Sequence, residues 1–127
     1  MDNSARQVVD KMFEAFNNGD VEKIVETVSE DTFWTYHGTQ IIPKGTFEKK
    51  DGVRKFFINI LEKTEMIEFK IQEYIEQGNV VAVLGSEHQR VKRSGRAMKQ
   101  KWVQIYTVKN CLIVKMEEFA TSEELKQ

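Results

Sequence analysis

Two glutamates and a histidine are the residues of this chain best suited to moving a proton. Glu118 stands in a run, 112–119, in which Leu112, Val114 and Met116 share its parity. Side chains two apart on a strand share a face, so this alternation puts Glu118 on an apolar one. A carboxyl group held there loses hydration and its pKa rises towards neutrality, as a general acid or base requires. The competing reading is a strand-end residue turned to solvent by a bulge, or paired with a neighbouring Lys or Arg. Glu87 and His88 are adjacent, so only one can face inward. Val81, Val83 and Val91 share the parity of Glu87, while Ala82 and Leu84 share that of His88. The pattern leans to Glu87. A buried His–Glu pair can shuttle a proton, whereas a lone strand histidine serves as a structural donor or a solvated side chain.

Aromatic residues surround these groups in the pattern. Trp34, Tyr36 and His37 fall on a short strand beside residues 38–45, at the expected mouth of a cavity. Trp34 and Tyr36 share a face and could grip a flat apolar ligand while the phenol orients it; the alternative is ordinary core packing. Trp102, Gln104 and Tyr106 form a second polar and aromatic face. Period-2 alternation does not say whether that face looks into a cavity or onto a dimer partner.

The elements that must hold these residues change period along the chain. Val8, Val9, Met12, Phe13 and Phe16 recur at helical spacing, which predicts a first helix over about 4–18, capped from Asp2-Asn3-Ser4 and stopped by Gly19. Asp20 caps a second, Val21 to Val28, followed by a short strand, 32–37. Residues 38–45, with the only proline, Pro43, read as a loop. Asp51 caps a third helix with Val53, Phe56, Phe57, Ile60 and Leu61 on its apolar face. From Glu65 the pattern is that of strands. Ile67, Phe69 and Ile71 alternate with polar residues, Gly78-Asn79 forms a hairpin turn, and runs at 80–92, 102–108 and 112–119 follow. Three helices in the N-terminal half and a curved, mostly antiparallel sheet predict an α+β domain, a cone-shaped α+β barrel.

Composition narrows the function. A chain of 127 residues, 40% hydrophobic and 31% charged, reads as one globular domain. Lys and Arg number 19 against 20 Asp and Glu, without the basic excess of a nucleic-acid binder. The run Arg90, Lys92, Arg93, Arg96, Lys99 and Lys101 lacks the interleaved aromatics of a nucleic-acid site and brackets a turn, so it reads as a solvated hairpin turn. No apolar run approaches membrane-spanning length. The single Cys111 cannot form an internal disulfide, which fits a reducing cytoplasm. No metal-ligand spacing, glycine-rich phosphate loop or Ser–His–Asp arrangement is present, so no cofactor is implied.

The stretch Phe13-Glu14-Ala15-Phe16-Asn17-Asn18-Gly19-Asp20 resembles the first helix and break of the nuclear transport factor 2-like superfamily. Asp31-Thr32-Phe33-Trp34, Lys44-Gly45-Thr46-Phe47, the helix opening at Asp51-Gly52-Val53-Arg54, and the strands Trp102 to Val108 and Ile113 to Phe119 are similar to its later elements. Within it, the chain resembles the SnoaL-like branch related to polyketide cyclases and ketosteroid isomerases. The resemblance implies three helices against a curved sheet of the cystatin-like type, an internal apolar pocket, and a homodimer through the outer sheet face.

The known chemistries of this superfamily do not transfer residue by residue. In ketosteroid isomerase a general-base Asp works with a Tyr and a protonated Asp. By position, the Tyr falls near Met12, the base near Tyr36 and the acid near Val103 or Gln104. The two aspartates and arginine of the limonene-epoxide-hydrolase type fall at Glu87, Thr121 and Gly85. Polyketide cyclases of the SnoaL type use an acid near the end of the last strand, where this chain has Glu117, Glu118 and then Thr121. Two expectations follow. One is a cofactor-independent isomerase, cyclase or dehydratase acting by proton transfer on a small apolar carbonyl compound, with Glu118 or Glu87 as base. The other is a binding or accessory protein, or a dimeric interaction module, that retains the cavity.

Overall fold

The computed structural model describes residues 4–38 and 45–124. Helix α1, Ala5–Asn17, begins where Ser4 and Gln7 cap each other's backbone N–H groups. It ends at Gly19, whose φ of 68° lets Gly19 and Asp20 donate back to the carbonyls of Phe16 and Ala15. Asp20 then caps α2, Val21–Val25, through the N–H of Lys23. This helix is shorter than the sequence pattern indicated because Val28 already pairs with Ile113 and opens β1, Val28–His37.

Strand β2, Gly45–Glu48, pairs with β1 where the residue pattern carries no strand signal, and most of the loop expected over 38–45 lies outside the described residues. Helix α3 spans Lys49–Lys63 with Glu48 at its N-cap position. Asp51 is therefore in the first turn and not the cap; it pairs with Arg54, which also holds Glu22 of α2 at 2.8 Å. Leu61, expected on the apolar face, is exposed.

Strands β3, Thr64–Gln77, β4, Val80–Val91, β5, Ala97–Lys109, and β6, Leu112–Glu124, complete one sheet in the order β2-β1-β6-β5-β4-β3. Only β1 and β6 run parallel. Two bulges interrupt the pairing of β3 with β4, adding the local bend and twist that such insertions give a sheet. The first leaves Ile67 as the extra residue and turns it outward, 43% exposed, against the alternation read from the sequence. Three helices thus lie on a six-stranded mixed sheet that does not close. Val9 and Met12 of α1, Val53 and Phe56 of α3, and Trp34, Val83 and Tyr106 of the sheet are buried in one continuous core.

Candidate functional site

The helices do not fill the sheet's inner face completely. Phe13 and Phe16 of α1 and Phe56, Phe57 and Ile60 of α3 roof a hollow in which about 50 Å³ is open to the centres of water-sized molecules. That is room for a few waters. The sheet supplies the polar lining: Glu87 and Gln89 from β4, Gln100 and Gln104 from β5, Glu118 from β6 and Tyr36 from β1. Among the described residues, Lys, Arg and His are absent from it.

Glu118 faces inward because β6 carries a bulge. Thr107 pairs with Lys115 and Val108 with Ile113, leaving Val114 over. Ile113 and Met116 are consequently both buried, while Leu112 and Val114 are not. Strict alternation therefore describes β6 from Met116 onward and not before it. Glu118 is 5% exposed and lies opposite Gln104 on β5 and Tyr36 on β1. The Tyr106 hydroxyl donates to Gln104 Oε1 at 2.6 Å, which directs the amide nitrogen to donate to Glu118. Burial, reinforced by the negative charge of Glu87, pushes the Glu118 carboxyl up to about 8 against the opposing pull of Gln104.

Glu87 lies opposite Gln100 on β5 and Phe69 on β3. Burial alone raises it to about 7, and among the described residues no side chain donates to it. Gln100 is engaged elsewhere: it bonds the Tyr36 phenol and accepts from Gln89 Nε2 at 3.5 Å. Burial first, then the charges of Glu118 and Glu87, pushes the Tyr36 phenol far up, so it remains a donor at any physiological pH. The two glutamates influence one another and titrate as a pair.

Glu118, Glu87, Trp34, Tyr36, Gln104 and Tyr106 thus converge on one hollow. His37, His88 and Trp102 do not line it. His37 is on the outer face of β1, stacked on Phe119 at 4.8 Å and bonded to Glu117 at 2.9 Å. His88 shares with Lys70, Lys99 and Lys101 an outer depression that Glu87 also borders. Trp102 faces inward but is packed away, stacked on Phe69 at 5.3 Å, over Gly85, its partner on β4. A Cβ at Gly85 would overlap that indole. Gln89 and Gln100 escaped the sequence reading, although they share the parity of Glu87 and Gln104 respectively. The helix aromatics of the roof read as core from their spacing alone. Among the described residues no group of three or more His, Cys, Asp or Glu is placed to hold a metal, and no helix is long and apolar enough to cross a membrane.

A mixed sheet bent under three helices, with polar groups at the bottom of an aromatic hollow, defines the nuclear transport factor 2-like class. The SnoaL-like domain family matches residues 9–116, and the chain belongs to that family. Among solved structures, a nuclear transport factor 2-like protein from Burkholderia xenovorans LB400 is similar, with 25% identity and a TM-score of 0.82 over 91% of this chain and 88% of that one. TerC, co-crystallised with polyporic acid, has 21% identity and a TM-score of 0.78 over 91% and 89% of the two chains. A computationally designed 17-OHP binder has 15% identity and a TM-score of 0.78 over 94% and 98%. These last two show the fold alone. No curated protein matches the sequence significantly.

Proposed function

We propose that this protein is a cofactor-independent isomerase, cyclase or dehydratase that moves a proton on a small carbonyl-bearing substrate. The observation that carries this reading is the enclosure of two glutamates, both titrating near neutrality, in one aromatic hollow. At neutral pH such a pair exchanges protons with little cost. The deprotonated member takes the proton α to the carbonyl. The protonated member, with the Tyr36 phenol, donates hydrogen bonds to the resulting enolate oxygen. The proton then returns to carbon or stays with a departing hydroxyl. The lone cysteine fits a cytoplasmic setting, and exposed Phe33, Ile75 and Phe119 on the outer face of the sheet support a homodimer.

A second reading, a non-catalytic small-molecule binder, is favoured by one observation. The positions that resemble the ketosteroid isomerase constellation fall at Met12, Tyr36 and Val103 or Gln104; Met12, Tyr36 and Gln104 line the hollow without supplying its acids. The fold is known to support that role, as in the designed 17-OHP binder.

Deuterium uptake separates the two. A panel of small ketones, enones and diketones is incubated with the protein in heavy water, and exchange α to the carbonyl is followed by NMR. Proton transfer predicts accelerated exchange on at least one compound, reduced about 10²–10⁴-fold in Glu118→Gln. Binding without exchange, or exchange unchanged in Glu118→Gln and Glu87→Gln, sinks the catalytic reading.

A further inference from the structure

The polar inventory of the hollow is unbalanced. Tyr106 donates to Gln104, Gln104 to Glu118 and Gln89 to Gln100, and the Tyr36 phenol is bonded to Gln100; the indole N–H of Trp34 is left without an acceptor. Glu87 is left over, a carboxyl group that no described side chain serves. The cations near it in sequence do not help. Lys70, Lys99 and Lys101 are exposed around an outer depression that Glu87 also borders, and none of them pairs with its carboxyl group. The titratable groups that do face the hollow are Glu118, Tyr36 and Tyr106, and α1 and α3 contribute only apolar side chains there.

The unmatched carboxylate shares the hollow with aromatic rings. Phe69 lies directly across from Glu87 in the β3–β4 pairing, with Phe16 at 5.2 Å and Phe13 at 5.8 Å from it. Ring faces attract organic cations, most strongly when water is excluded. A ligand offering only a carbonyl oxygen adds another acceptor beside Glu87 and leaves it unmatched. A ligand bearing a positively charged nitrogen matches the carboxylate and lays its alkyl groups on the rings.

We infer that the hollow recognises an alkylammonium group, held by Glu87 and faced by Phe13, Phe16 and Phe69. This deepens the reading of the hollow as a small-molecule site: Glu87 anchors the ligand's charge, and Glu118 is free to move the proton. Binding is an exchange in which the protonated Glu87 releases its proton to solvent and the ammonium takes its place as the partner of the carboxylate. Affinity therefore rises with pH until Glu87 is ionised without help, at about 7.

The test uses choline and the isosteric alcohol in which carbon replaces its nitrogen, with sodium chloride at matched ionic strength as control. Thermal shift and calorimetry on the unmodified protein should show stabilisation by choline and not by the alcohol. The Kd should tighten up to about tenfold for each pH unit below the Glu87 transition. One proton should be released per choline bound at low pH, and Glu87→Gln should lose the response. Equal stabilisation by the alcohol, a pH-independent Kd, full binding to Glu87→Gln, or no choline binding would each overturn the inference. Ketone exchange without choline binding would leave the proton-transfer reading standing and remove this one. Choline binding without exchange on any ketone would do the reverse.

Discussion

Gln104 and Glu118 sit directly across from one another on β5 and β6, and Tyr106 fixes which end of the amide faces the carboxylate. An amide free to turn could present either its oxygen or its nitrogen. With Oε1 occupied by the phenol, only the nitrogen is left for Glu118. The contact works against protonation, yet the carboxyl is still raised, so burial and the charge of Glu87 outweigh one hydrogen bond. The hollow thus contains a carboxyl group near neutrality whose orientation is set by two neighbours on the same strand.

Replacing Tyr106 by Phe removes that orientation while keeping the ring against Phe13 and Trp34. Gln104 is then free to turn, and Glu118 loses its dedicated donor. A hydrogen bond to a charged group is worth roughly 1.5–3 kcal/mol, so the Glu118 pKa should rise by about one to two units in carboxyl NMR titration. A carboxyl that titrates unchanged in Tyr106→Phe would remove Tyr106 as a positioning residue.

Stability should fall as the pH rises through neutrality. Both glutamates have folded-state pKa values above the ordinary 4.5, at about 7 and about 8. Between those limits the folded state binds more protons than the unfolded chain, so raising the pH favours unfolding. The contribution is complete below about 4.5, declines upward, and is exhausted above about 8. Each group adds a slope of up to about 1.4 kcal/mol per pH unit. Urea denaturation across this range should show the decline, and Glu118→Gln should flatten its upper part. Glu87→Gln should in addition lower the Glu118 pKa, because the charge of Glu87 is one of the causes that raise it.

Much of this arrangement was legible in the sequence, but not all for the reasons the pattern offered. Ser4, Gly19 and Asp20 marked helix ends because capping depends on residue type over three or four positions. The inward direction of Glu87 followed from its valine neighbours. Glu118 was assigned to the right face partly through Leu112 and Val114, which the bulge in β6 places elsewhere. A bulge is a property of two paired strands and leaves little trace in one of them. Ile67 went astray for the same reason. Trp102 shows a second limit: parity gives a face, but whether an indole lines a space or fills it depends on Gly85 across the ladder. Gln89 and Gln100 carry the same parity signal, but an amide does not titrate, so its residue type does not mark it as a site group.

Gly85 is therefore a sensitive position. A methyl group there would meet the Trp102 ring and the Lys70 carbonyl, and a packed β-strand leaves neither free to retreat. Gly85→Ala should cost about 1–3 kcal/mol by overpacking. Displacing the indole would also disturb its stacking on Phe13 and Phe69, two rings that line the hollow. Chemical denaturation reads the first effect and Trp fluorescence the second. A variant with unchanged stability would mean that the strand can shift to admit the methyl group.

The outer face of the sheet supplies the last prediction. Phe33 is 41% exposed, Phe119 46% and Ile75 52%, on strands that span the width of the sheet. Exposed apolar groups arrayed over one face are a mark of an interaction surface. Phe119 is stacked on His37, and His37 is bonded to Glu117, so this ring is held in place before any partner arrives. Light scattering should give twice the chain mass, 14.9 kDa per copy. Phe119→Glu should shift the population to the single-chain mass, because it sets a charge on the face that two copies would bury. The hollow lies on the opposite side of the sheet, so the pH dependence of stability below neutrality should persist in this variant. A single-chain mass for the unmodified protein at micromolar concentration would rule the pairing out.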